Sequence, residues 1–302
     1  MLVSIIIRSL SAAGALSVIT VLAQVPATKP QFEVSSIKLN SGCSGPGGPS
    51  LSSRGRLTMP CVSLRTLIQM AYTTYEGLSL NPHHIRIIGG PRWLNSEYYD
   101  LAAKAEGNAH RAEMEGPMLR ALLEDRFKVR VHMESREMPV YSLIVAKGGA
   151  KIQPLKQGAC LPYDTDNILQ MHAPQKPTDP KYCGTVMIGA SPDKPTTVAR
   201  YYGVSMPELA GRMLAPYVDR PVIDRTGLGG RYDIRLEFAM GGVSGRGVLL
   251  NGVPSTVGPT ADDPLAVSIF DALQEQLGLK LTSDKGSVQV LVVDSAERPS
   301  AN

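Results

Sequence analysis

His132 and Glu134 stand two positions apart in the run VRVHMES. On a strand that spacing puts both side chains on one face, where an imidazole and a carboxylate could share a metal ion or a proton. Asp224 and Arg225 begin a second candidate stretch, residues 222–236, which read VIDRTGLGGRYDIRL. Its glycines, arginines and aspartates suit either a phosphate-cradling loop with a catalytic carboxylate or a tight turn between two strands. A phosphate loop needs its glycines to run into a helix N-terminus. Here they run into RYDIRLEF, which alternates as a strand does, so a hairpin turn is the expectation.

The other reactive pairs weaken in the same way. His83 and His84 are adjacent and would point to opposite faces of a strand. Glu124 and Asp125 are neighbours on a helix and do not converge. No third ligand accompanies His132 and Glu134, so no metal is expected there. There is no G-x-S-x-G or H-E-x-x-H pattern, no Walker loop and no dinucleotide fingerprint. No catalytic residue and no cofactor are expected. Arg225, Asp224, His132 and Glu134 remain the candidate binding residues.

The elements that carry these residues occur twice. CVSLRTLIQMAY (61–72) matches GVSMPELAGRML (203–214), and NSEYYDLAAKAEG (95–107) matches GGRYDIRLEFAMG (229–241). MLRALLEDRFKVRVHMESREMPVYSLIVAKG (118–148) matches IFDALQEQLGLKLTSDKGSVQVLVVDSAER (269–298). Three blocks in one order point to two diverged repeats of a β-α-β-β-α-β-β unit, each closing in a hairpin. The predicted class is α+β, with helices packed on mixed or antiparallel sheets. The first repeat spans 31–153 and the second 197–298, with a Gly/Ser/Pro/Thr-rich insertion at 241–264. A connector at 154–196 joins them.

The first 23 residues carry one charge, Arg8, then an uncharged, largely apolar run to Ala23. They read as a signal peptide cleaved between Ala23 and Gln24, which implies export to the periplasm or beyond. No later segment is apolar enough to span a membrane. Export turns four cysteines without a CxxC pair into disulfide partners, and Cys43–Cys61 with Cys160–Cys183 are the pairings that close short loops. Each loop contributes roughly 3 kcal/mol on a chain-entropy basis. A net charge of +4 without a basic stripe, and an aromatic share of 5%, argue against nucleic acid as a partner.

Together, the blocks GGPRWLNSEYYDLAAKAEG, MLRALLEDRFKVRVHMESREMPVYSLIVAKGGAKIQP and PVIDRTGLGGRYDIRLEF resemble a large family of secreted proteins expanded in soil acidobacteria, domain of unknown function 3738. The resemblance implies export and assigns no catalytic residues. Related domains fused to membrane sensor peptidases lean towards sensing. The repeat unit is also similar in pattern to the short N-terminal domain of secretins and TonB-dependent transporters. The expected function is therefore an exported, non-catalytic binding or sensory module for a protein, peptide or cell-wall fragment. Two alternatives compete with it. One is an envelope hydrolase with Arg225 or His132 at the repeat junction, and the other a structural assembly protein of the envelope.

Overall fold

The computed structural model describes residues 30–43, 45, 51–76, 79–80, 85–162, 179, 181–191, 196–239, 249–250, 253–254 and 267–299. The expected leader at 1–23, its cleavage point, His83, His84 and most of 241–264 lie outside the described residues.

The chain opens with β1 (Phe32–Leu39), β2 (Leu51–Ser53) and β3 (Arg56–Ser63). Helix α1 (Leu64–Gln69) starts where the Ser63 side chain accepts the Thr66 N–H, and a π turn extends it to Thr74. The short pair β4 (Tyr75–Glu76) and β5 (Ser79–Leu80) precedes β6 (Arg86–Gly89) and β7 (Tyr98–Ala105). Helices α2 (Arg111–Glu113) and α3 (Leu119–Arg126), joined by a π turn, lead into β8 (Arg130–Val145). Beyond the second cysteine pair come β9 (Thr185–Ala190) and β10 (Thr197–Val204). Helix α4 (Met206–Glu208) is capped by Ser205, whose backbone N–H donates to the Glu208 carboxylate, and a π turn carries it to Met213. Then follow β11 (Val222–Asp224), β12 (Tyr232–Phe238) and the two-residue strands β13 (Leu249–Leu250) and β14 (Val253–Pro254). Helix α5 (Ile269–Ala272) with its π turn and the long strand β15 (Leu279–Ser295) end the fold.

The fold is α+β, with antiparallel sheets ordered β1-β7-β3-β2 and β12-β10-β9 and a mixed sheet ordered β11-β8-β15-β6. Strand β3 was not expected from the sequence. Strand β9 falls inside the expected connector and adds an edge to the second sheet.

Two hydrophobic cores result. The first gathers buried residues between Ile37 and Val129 together with Leu291 and Val293. The second gathers residues between Ala199 and Leu281 together with Leu143. Each core thus takes residues from a long strand whose other end serves the opposite core. We refer to the two bodies as the first and second lobes.

This exchange corrects two expectations. Neither half closes in a hairpin: β8 and β15 run straight through their expected turns and pair with each other, from Leu279↔Val145 to Ser295↔Arg130. The expected turns, at Ser135–Arg136 and Asp284–Lys285, lie inside the ladder, with Ser135 opposite Gln289 and Asp284 opposite Val140. A strand that finds a full-length partner satisfies its backbone without bending back, so the turn signals are overridden. Residues 222–236 are likewise not a hairpin. β11 lies parallel to β8, whereas β12 pairs with β10 in another sheet. The glycines between them carry the chain from sheet to sheet, Gly227 and Gly230 at φ values of 68° and 85°.

Candidate functional site

The mixed sheet holds His132, Glu134 and Asp224, with Arg225 directly after β11, and it keeps the two pairs apart. His132 and Glu134 lie near the first-lobe end of β8, the first exposed and the second half-buried. His132 Nδ1 sits 3.0 Å from Asp294 Oδ2 across the strand pair, and Nε2 lies 3.8 Å from Glu134. Arg136 claims both Glu134 oxygens, at 2.7 and 3.0 Å. The carboxylates therefore flank opposite ring nitrogens and do not converge on a common point.

The hydrogen bond to Asp294, followed by the nearby negative charges, holds the His132 imidazolium above the ordinary value of 6.5. Its favourable contribution is complete below pH 6.5 and is lost as pH rises through the raised folded-state value. Ring-proton NMR should accordingly place the His132 midpoint above 6.5, and Asp294→Asn should lower it. An unchanged midpoint in that variant would remove Asp294 as the cause.

Asp224 closes β11 at the other end of the ladder, and Arg225 follows it. Asp224 Oδ1 accepts the Thr226 N–H at 2.9 Å and its hydroxyl at 2.8 Å. Arg225 donates its backbone N–H to Leu143 and places Nη1 3.6 Å from Asp284. Leu143 is eleven positions from His132 along β8, a span of roughly 36 Å at the usual strand rise. Acid–base work needs groups within hydrogen-bond reach of one reacting atom. His132 and Arg225, either of which a hydrolase would have combined with an Asp or Glu, therefore belong to separate places on the sheet, each with its own carboxylate, Asp294 and Asp284.

What the sheet does build is a cavity of about 480 Å³, within the range of small-molecule sites. Both lobes line it. Ile85 and Arg86 come from the start of β6, Pro207 and Ala210 from the α4 segment, Val222 from β11 and Val288 from β15. Its walls are chiefly apolar, and its charged lining residues are Arg86, Asp219, Arg220 and Asp224. Arg220 is bound to Asp219 at 3.2 Å and stacks over Tyr141 with 5.1 Å to the ring centre. The Arg86 side chain makes no hydrogen bond or ion pair to another described residue, while its backbone lies in the ladder with β15. Arg86 escaped the sequence reading because IRIIGG reads only as a strand, and the packing that opens the cavity is not local. Asp224 is the one residue that the sequence reading and the cavity share.

A second arrangement occurs in both lobes and concerns the disulfides. β3 has an irregularity between Met59 and Val62, and β10 has one between Tyr201 and Val204. Within them Cys61 and Gly203 adopt positive φ, 49° and 56°. The Cys61 N–H donates to Asp100 Oδ1 and the Gly203 N–H to Asp233 Oδ1, each at 2.9 Å. The second carboxylate oxygen accepts from Asn40 in the first lobe and from Lys181 in the second, again at 2.9 Å. Cys61 is bonded to Cys43, and Cys160 to Cys183. A Cβ placed on Gly203 would lie 2.4 Å from Cys160 Sγ, so the second disulfide fills the space where Cys61 carries its own sulfur. Asp100 also lies within 4.8 Å of both first-lobe sulfurs. Those sulfurs are spent on each other and offer no thiolate to a metal. The Tyr-Asp pairs at 99–100 and 232–233, present in both matched blocks, are the sequence signal for these two carboxylates.

No curated protein and no solved structure matches this chain. Residues 65–296 match the family model described as protein of unknown function (DUF3738), which covers most of the sequence, and the chain belongs to that family.

Proposed function

We propose that the chain is an exported, non-catalytic binding module built from two diverged copies of one unit, which holds its ligand in the cavity between them. The observation that carries this reading is the cavity itself. It is lined from both lobes, while the acid–base side chains stand far apart and bonded to structural partners.

Duplication is supported by the matched blocks, by serine-capped helices at Ser63 and Ser205, and by the paired irregularities at Cys61 and Gly203. Export is supported by the leader-like residues 1–23 and by two disulfides, which persist in oxidising compartments. Among the described residues no helix is long and apolar enough to cross a membrane. The likeness to domains fused to membrane sensor peptidases favours a sensory role for the same site.

The test is affinity capture of the mature protein from envelope extract, with mass spectrometry of small molecules and proteins, alongside Gln289→Trp. Gln289 is an exposed lining residue, so tryptophan there obstructs the cavity while leaving both cores intact. Capture of one species by the native chain and its loss in the variant are expected. Equal recovery from both would remove the cavity from the function.

A further inference from the structure

Strand β15 has an open edge beside the cavity, and two backbone hydrogen bonds fix which residues face it. The Tyr141 N–H donates to Pro221 O and the Arg225 N–H to Leu143 O, so residues 141 and 143 of β8 turn their backbone groups towards β11. Residues opposite each other in an antiparallel pair both face inwards or both face outwards. Ser283 stands opposite Tyr141 and Leu281 opposite Leu143, so both face away from β8, and by alternation so do Lys285, Ser287 and Gln289. Pro139 agrees: it lies opposite Lys285, has no N–H to give and occupies an outward position. β6 takes up the outer edge of β15 only from Val290 to Val293. Among the described residues no strand pairs with that edge from Ser283 to Gln289.

The cavity meets this edge. Ser287, Val288 and Gln289 all line it, beside Ile85 and Arg86 at the start of β6, whereas β8 contributes no lining residue. Side chains of consecutive strand residues point to opposite faces. A void that touches three in a row without touching the neighbouring strand therefore lies along the outer edge. The N–H and C=O groups of Ser287 and Gln289 are presented to it at the spacing with which one strand meets the next. Another extended chain carries the same groups at the same spacing and answers them.

We propose that the ligand of the cavity is an extended peptide, which adds to β15 as a strand in the line of β6 and bonds to the backbone of Ser287 and Gln289. This rests on the binding reading above and specifies the ligand class for the same site. The apolar lining residues Ile85, Pro207, Ala210 and Val288 would receive every second side chain. An alternating apolar and polar sequence is therefore the expected ligand.

The test pans phage-displayed random heptapeptides against the full mature chain and titrates the most enriched one by calorimetry. Alternating apolar sequences should be enriched. That peptide is then made in two further forms, N-methylated at its odd residues or at its even residues. Only one set of its amides would face β15, so one form should lose binding about tenfold or more and the other should keep it. Ser287→Pro removes one outward N–H without touching the ladder to β8 and should weaken the unmethylated peptide about tenfold. Ser287→Ala, which loses only the hydroxyl, should bind as the native chain does. Equal binding of the two methylated forms would overturn the strand geometry, as would a folded Ser287→Pro that binds normally or a Ser287→Ala that is weakened as much. Should Ser287→Pro fail to fold, the methylated pair on the native chain decides. If no peptide is enriched while Gln289→Trp still abolishes capture of an envelope ligand, the peptide assignment fails and the binding module stands. If neither is seen, both fall.

Discussion

Gly203→Ala should destabilise the second lobe by about 3 kcal/mol, read as a lowered denaturant midpoint with the disulfides intact. Two costs add. Gly203 holds φ at 56°, a region that costs a residue with a Cβ roughly 1 kcal/mol or more. The new Cβ would stand 2.4 Å from Cys160 Sγ and 3.1 Å from the Cys183 Cα, and forcing a group into such a filled space costs about 1–3 kcal/mol. The sulfur cannot step aside, because it is bonded to Cys183. Cys61 carries the same positive φ with a side chain, so conformational strain alone is tolerated in this fold and the collision is the larger cost. Reducing the disulfide should therefore recover part of the loss in Gly203→Ala, although it destabilises the native chain. If Gly203→Ala melts with the native protein, the disulfide does not fill the space as described.

Local chemistry made much of this fold legible. Ser63 and Ser205 mark helix starts because a serine side chain satisfies the free N–H groups of a first turn, and both helices begin there. The alternation of YDIRLEF is that of a half-buried strand, and β12 occupies it. Pro60 hid β3, since proline argues against an inner strand; the irregularity between Met59 and Val62 accommodates it. The turns expected at 135–136 and 284–285 misled for a different reason. Gly286 is present for close approach, because a Cβ there would meet Ile223 at 2.7 Å and Val140 at 3.2 Å. Composition cannot separate a glycine that bends the chain from one that lets two strands and a neighbour come close. Which strand a segment pairs with is a non-local choice, and the cavity follows from that choice. Asp224 was noticed for its neighbours in sequence, whereas Arg86 becomes notable only once β6 has docked against β15.

The same exchange yields the prediction of largest effect: residues 30–153 and 154–299, prepared separately, should each fail to fold and should assemble when mixed. Residues 30–153 lack Leu291 and Val293, both 2% exposed in the first core. Burial of each contributes about 1.5–3 kcal/mol, so the fragment forgoes roughly 3–6 kcal/mol. Domains of this size are typically stable by only about 5–15 kcal/mol, and β8 also loses its ladder to β15 along nearly its whole length. Residues 154–299 lose Leu143, which is fully buried, and the strand to which β11 pairs. Circular dichroism and amide NMR of each fragment should show an unfolded chain, and equimolar mixing should restore dispersed resonances and a cooperative melt. Each fragment keeps its own disulfide pair, so recovery cannot be credited to a covalent link between them. The competing outcome is physically definite. If 30–153 folds alone, β8 can bend back at Ser135–Arg136 and supply its own second strand, as expected from the sequence. In that event the join between lobes is a replaceable pairing rather than a condition of folding, and a cavity lined from both lobes would open whenever the pairing reverted. Failure of both fragments alone, with recovery on mixing, would instead mean that the exchange which completes each core also fixes the first-lobe wall of the cavity relative to the second, so that the cavity and the stability of the chain have one structural cause.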